Sequence, residues 1–121
     1  MIQNPTTKTY DLEERTFQFA KEVRLFIKNL EKTIANIEDA KQVVRSSGAV
    51  GANYIEANES LSKKDFVFRV KIARKETKES IFWLRLINET NALSNKSEIE
   101  KLIQEGTELK KILSAIIEKS K

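Results

Sequence analysis

Apolar residues recur every three to four positions in four long blocks of the chain, a spacing that predicts four amphipathic helices. The first block begins at Asp11, with Glu14 three residues on as a capping-box partner. Leu12, Phe19, Ala20, Val23, Phe26, Ile27 and Leu30 form its stripe, while Phe17 and Leu25 fall off it. The second block runs from Asn36, read as its cap, to Ser60 and carries two apolar faces. Ile37, Ala40, Val44, Ser47, Gly48, Gly51 and Ile55 make one; Val43, Val50, Tyr54, Ala57 and Leu61 make the other. The third block starts at Ser62, places Asp65 in its first turn and reaches Thr90. Its stripe is Phe66, Val70, Ala73, Thr77, Ser80, Leu84 and Ile87, widened by Ile72, Trp83 and Leu86. The fourth spans Asn95 to Lys119, with Ile99, Leu102, Ile103, Gly106, Leu109, Leu113, Ile116 and Ile117 in register.

Connections between the blocks are short, and short loops between long helices make sequential neighbours antiparallel. The expected fold is therefore all-α, an antiparallel up-down-up-down four-helix bundle. Residues 1–10, which contain the only proline, Pro5, read as a short polar leader. Residues 11–121 read as one bundle domain. Gly48 and Gly51 leave two alternatives inside the second block: a loop that splits it, or a helix face that a neighbouring backbone approaches closely.

Composition narrows the chemistry. The 121 residues include no Cys and no His, which removes disulfides, thiolate nucleophiles and the commonest metal ligand and general base. A bundle with inward carboxylates invites a di-iron site, but that site needs a Glu-x-x-His pair on each of two helices. Gly48-Ala49-Val50-Gly51 lacks the Lys-Ser/Thr ending of a phosphate loop. No enzyme activity, catalytic residue, metal or cofactor is expected. No run approaches the roughly 18 apolar residues of a membrane span, and the first residues lack a signal-peptide pattern. The expected location is the cytoplasm, with no membrane partner.

The net charge of +4 is not evenly spread. Residues 63–93 hold 8 basic against 4 acidic residues, whereas residues 36–62 hold 2 against 4. Lys64, Arg69, Lys71, Arg74, Lys75, Lys78 and Arg85 are the candidate nucleic-acid-binding residues, because Lys and Arg bind phosphate backbone by releasing counterions. The competing reading is a solvated helix face in which Lys71 or Lys75 pairs with Glu79. Arg45, Asn53, Glu56, Glu76 and Glu79 sit among apolar neighbours and form either a polar cleft or a structural network. Phe17, Leu25, Val43, Phe68, Phe82 and Ile112 exceed what one bundle stripe accommodates; all but Ile112 are taken as an oligomer interface. Trp83 belongs to core or interface unless exposed, when it could stack on a base.

The stretches SSGAVGANYIEANES (Ser46 to Ser60) and KKDFVFRVKIARKETKESIFWLRLI (Lys63 to Ile87) resemble a bacterial four-helix-bundle family first noted as reading frames in intervening sequences of 23S ribosomal RNA genes. Matching positions are Arg45, Ser46, Ser47, Asn53, Glu56, Ala57, Phe66, Ala73, Glu79 and Leu84. The usual Asn-Ile-Ala-Glu-Gly reads Asn53-Tyr54-Ile55-Glu56-Ala57 here, and an acid, Glu76, stands where a small residue is common. The resemblance implies a homo-oligomer, a pentameric ring, and no enzyme activity. Accessory proteins of diversity-generating retroelements are similar too; likeness to them implies RNA or DNA and a reverse transcriptase or other protein as partners.

The expectation is thus a non-enzymatic homo-oligomeric bundle that binds nucleic-acid backbone through its basic third helix. The alternative is a protein-interaction scaffold with a polar cleft around Asn53, Glu56 and Glu79.

Overall fold

The computed structural model describes the backbone of residues 5–121 and the side chains of residues 11–121. Four helices account for most of it: α1 (Pro5–Lys28), α2 (Ile34–Asn58), α3 (Lys63–Thr90) and α4 (Lys96–Lys119). At about 1.5 Å per residue each is roughly 36–42 Å long.

Local chemistry sets where each helix begins. Thr33, not Asn36, caps α2: its Oγ1 accepts the Asn36 backbone N–H at 3.1 Å. Asn36 lies buried one turn in, where Nδ2 donates to the Glu31 carbonyl at 2.9 Å and to Asn91 Oδ1 at 2.7 Å. Asn91 Nδ2 returns a bond to Asn36 Oδ1 at 2.9 Å, tying the start of α2 to the end of α3. Ser62 caps α3 by accepting the Asp65 N–H at 3.1 Å, as its position predicts. Asn95 precedes α4. The first helix starts earlier than Asp11. Proline's fixed φ and missing N–H suit a first turn, so Pro5 opens α1 and residues 5–10 of the expected leader are helical. Residues 1–4 lie outside the described residues.

Each helix packs on its sequence neighbours, and α1 closes the ring against α4; the α2–α3 seam is the most extensive and the α1–α4 seam the least. This is the antiparallel up-down-up-down bundle. Phe19, Val23, Val50, Leu84, Ile87, Ile99, Leu109 and Leu113 are all but fully buried; each contributes about 1.5–3 kcal/mol through removal from water. Of the two faces of α2, the one with Val50, Tyr54 and Ala57 turns inward. Val43 is on that face and 0% exposed, so it belongs to the core and not to an oligomer interface. At 100° per residue it lies two turns from Val50 on the inward side.

Small residues bring the helices close. Ser46 Oγ and Ser80 Oγ, both fully buried, share a hydrogen bond of 2.8 Å across the α2–α3 seam. A Cβ built on Gly51 would lie 2.9 Å from Thr16 Oγ1 on α1. Gly51 therefore marks close helix approach, while Gly48 makes room for the Arg24 guanidinium; α2 runs through both unbroken, with no glycine at positive φ among the described residues. Among the described residues no helix is long and apolar enough to cross a membrane.

Candidate nucleic-acid interface

Helix α3 buries Val70, Ala73, Thr77, Ser80, Leu84 and Ile87. The helical period then fixes what its far side carries. Residues 64, 68, 71, 75, 78, 82 and 85 alternate in steps of four and three, which aligns them in one row opposite the core. That row reads Lys64, Phe68, Lys71, Lys75, Lys78, Phe82, Arg85, and every member is exposed. Phe68 and Phe82 keep 58% and 55% of their surface in solvent. Lys71, Lys75, Lys78 and Phe82 line a shallow depression of about 590 Å³ whose flanks are Arg74, Glu79 and Trp83.

The row keeps most of its charge unneutralised. Among the described residues Lys64, Lys71 and Lys78 form no ion pair; Lys75 reaches only Glu76, at 3.9 Å, and Arg85 pairs with the exposed Glu89 at 3.7 Å. The exposed Arg85–Glu89 pair holds about 0–1 kcal/mol. The acid expected to pair with Lys71 or Lys75 is engaged elsewhere: Glu79 Oε1 accepts from Arg45 Nη2 at 3.1 Å across the α2–α3 seam.

Two of the predicted cations stand apart from the row. Arg69 is half-buried and donates to Asn53 Oδ1 on α2 at 3.4 Å, with its guanidinium 5.9 Å over the Phe68 ring. Arg74 turns toward α4 and donates to Ser114 Oγ at 3.4 Å. Trp83 is half-buried, packed on the core, and meets Phe82 edge-on, with ring centroids 5.0 Å apart at 81°.

The polar residues of α2 and α3 separate into two structural contacts. Arg45 bridges Glu79 and the buried Glu76, whose Oε1 lies 3.3 Å from Arg45 Nη1 as an ion pair without hydrogen-bond geometry. Asn53 donates to the Ala49 carbonyl at 2.9 Å and accepts from Arg69. Glu56 is exposed and makes neither contact. Sequence pattern did not reveal Arg15–Glu105, a bidentate pair of 2.7 and 2.9 Å joining α1 to α4. Donating to the Glu105 carboxylate holds the Arg15 pKa above its usual value. No group of three or more acidic residues is arranged to hold a metal ion among the described residues.

A second outward surface lies between α1 and α2. Phe17, Ala20, Leu25, Ala52 and Ile55 line a groove of about 540 Å³, with Gly48 and Gly51 also in its wall and Glu13, Lys21, Arg24 and Lys28 along it. Phe17 and Leu25, expected at an interface, are here and exposed; Phe68 and Phe82 are on α3 instead. Ile112 is partly buried and packs against the core. Ile55, one helical turn from Gly51, is exposed in the same groove, a position that periodicity alone does not distinguish from the core.

These features define a small all-α bundle with a cationic outer helix. The sequence matches the family of 23S rRNA-intervening sequence proteins over residues 8–115, and the chain belongs to that family. Among solved structures it is similar to a protein of unknown function from the S23 ribosomal protein family of Bacteroides thetaiotaomicron, at 28% identity and a TM-score of 0.76. That likeness covers 88% of this chain and 97% of the Bacteroides chain. Curated proteins yield no significant match.

Proposed function

We propose that this protein is a non-enzymatic, self-associating bundle that binds the phosphate backbone of nucleic acid through the outer row of α3. The observation that carries this reading is the run Lys64, Lys71, Lys75 and Lys78, exposed on one line, with Glu79 drawn away by Arg45. Lysines so placed act as point charges that displace counterions without reading sequence. Arg85 extends the row; Arg69 and Arg74 support it from behind while bonded to α2 and α4.

Self-association is supported by the α1–α2 groove, where the exposed Phe17, Leu25 and Ile55 stand together. A five-membered ring, the arrangement implied by the family resemblance, repeats the net +4 of each chain five times and converts weak sites into avid ones. The ribosomal designation of the Bacteroides relative is in keeping with an RNA ligand.

The test is fluorescence anisotropy with a labelled RNA of arbitrary sequence, titrated from about 50 to 200 mM salt. Four lysines per subunit predict a log–log slope near −3 for a single strand, at about 0.7 per phosphate. Replacing Lys71, Lys75 and Lys78 together by Glu is expected to weaken binding at least about ten-fold and to flatten the slope by about 2. Absence of binding at the lowest salt, or a slope near zero, overturns the reading.

A further inference from the structure

The aromatic members of the α3 row have no role in binding phosphate. One exposed phenylalanine is ordinary on a soluble protein. Two in the same lysine row, each propped from behind, are a different arrangement. Phe82 is held edge-on by Trp83 at 5.0 Å, and Phe68 has the Arg69 guanidinium 5.9 Å from its ring centre. Arg69 and Trp83 are both half-buried, Arg69 anchored to Asn53 and Trp83 to the core. The outward sides of both rings stay open to solvent.

We propose that the outer row of α3 is a binding track for single-stranded polynucleotide, with Phe68 and Phe82 as base-stacking platforms at either end of Lys71, Lys75 and Lys78. This rests on the backbone-binding reading above and adds the class of ligand. A base-paired duplex hides its base faces within its own stack, so it can use the lysines but not the rings. A single strand uses both, since every base has a π-face that stacks on an aromatic side chain irrespective of sequence. The spacing fits: 14 residues of helix separate the rings by about 21 Å, the length of about six nucleotides at the stacked rise of about 3.4 Å. Charge also decides against a symmetric pairing of this row with a second copy of itself, because three unpaired or weakly paired lysines would then face three more. The row's chemistry is complementary to a polyanion with exposed rings.

The experiment compares Phe68→Ala, Phe82→Ala, Phe82→Leu and Phe82→Trp with the unaltered full chain. Probes are oligouridylate and oligothymidylate of about 12 nucleotides and an RNA hairpin duplex with the same number of phosphates. Light scattering accompanies each titration. Both Ala variants are expected to weaken binding of either single strand about ten-fold, leaving the salt slope, hairpin affinity and particle mass unchanged. Phe82→Leu, which keeps apolar bulk but no π-face, falls with Phe82→Ala, and Phe82→Trp binds at least as tightly as the parent. Equal losses on strand and hairpin, no loss on either, or a drop in particle mass overturn the stacking assignment. If the parent binds all three probes and the Phe variants do too, backbone binding stands and stacking falls. If the parent binds none, both fall.

Discussion

The molecule displays exposed phenylalanine on two surfaces, and their neighbours give the rings opposite meanings. Phe17 stands in the α1–α2 groove with Leu25, Ile55, Ala20 and Ala52 as a contiguous apolar set, beside Lys21, Arg24 and Lys28. Phe82 stands on α3 beside Lys75, Lys78 and Lys71. Exposure hardly separates them, at 60% and 55%. A ring among contiguous apolar neighbours lowers free energy by being covered, while long cationic side chains beside it keep their heads in water. One alternating with unneutralised lysines in a single row would carry those charges into any dry contact, which costs several kcal/mol per uncompensated ion. Burial alone therefore does not mark an interface; the side chains within one helical turn do.

The sharpest way to break this contrast is to place charge in the groove. Phe17→Lys with Leu25→Lys is expected to reduce the proposed oligomer to single chains by light scattering, since two further cations beside Lys21, Arg24 and Lys28 cannot be desolvated there without partners. Retention of the parent mass would remove the groove as the self-association surface. Next comes the groove wall. Gly51→Val pushes a side chain against Thr16, where a Cβ alone would be 2.9 Å from Oγ1. It is expected to cost about 1–3 kcal/mol in urea unfolding, while Lys78→Ala on the α3 row changes stability by about 0.5 kcal/mol or less. Equal costs would mean that the two surfaces are not built differently. The smallest effect concerns the seam between them. Arg45→Ala releases Glu79, one turn from Lys75, and is expected to weaken single-strand binding about two- to five-fold, the worth of one screened pair. Unchanged or tighter binding would show that Arg45 does not keep the row cationic.

Much of the fold was legible because buried positions follow a strict period. Phe19, Val23, Leu84, Leu109 and Leu113 all sit where three-four spacing puts them. What spacing could not supply is rotation about each helix axis where a segment has two apolar faces. In α2 both faces qualify, and only packing against α1 and α3 decided that Val43 goes inward and Ile55 outward. Helix starts failed for a related reason. Thr33 and Asn36 are both good caps, and Asn36 is taken by a half-buried partner, Asn91, that lies 55 residues away. Pro5 reads as a breaker unless it occupies the first turn, where it is at home.

The candidate site was half legible. The lysine row follows from helical geometry, but Arg69 and Arg74 count as equal cations in a composition and differ in space, one tied to Asn53 and the other to Ser114. Phe68 and Phe82 read as surplus hydrophobicity because periodicity scores an aromatic as apolar wherever it falls. Their place in the lysine register shows only when polar and apolar residues are counted on the same row.

The α2–α3 seam also has a kinetic consequence. Its two helices are joined by a turn of four residues, 59–62, and share the most extensive contact in the bundle. Closing so short a loop costs little entropy, and contacts this local form early in folding. The helix hairpin is thus the natural nucleus, with α1 and α4 docking afterwards. The cationic row is then set in place before α4 docks beside it.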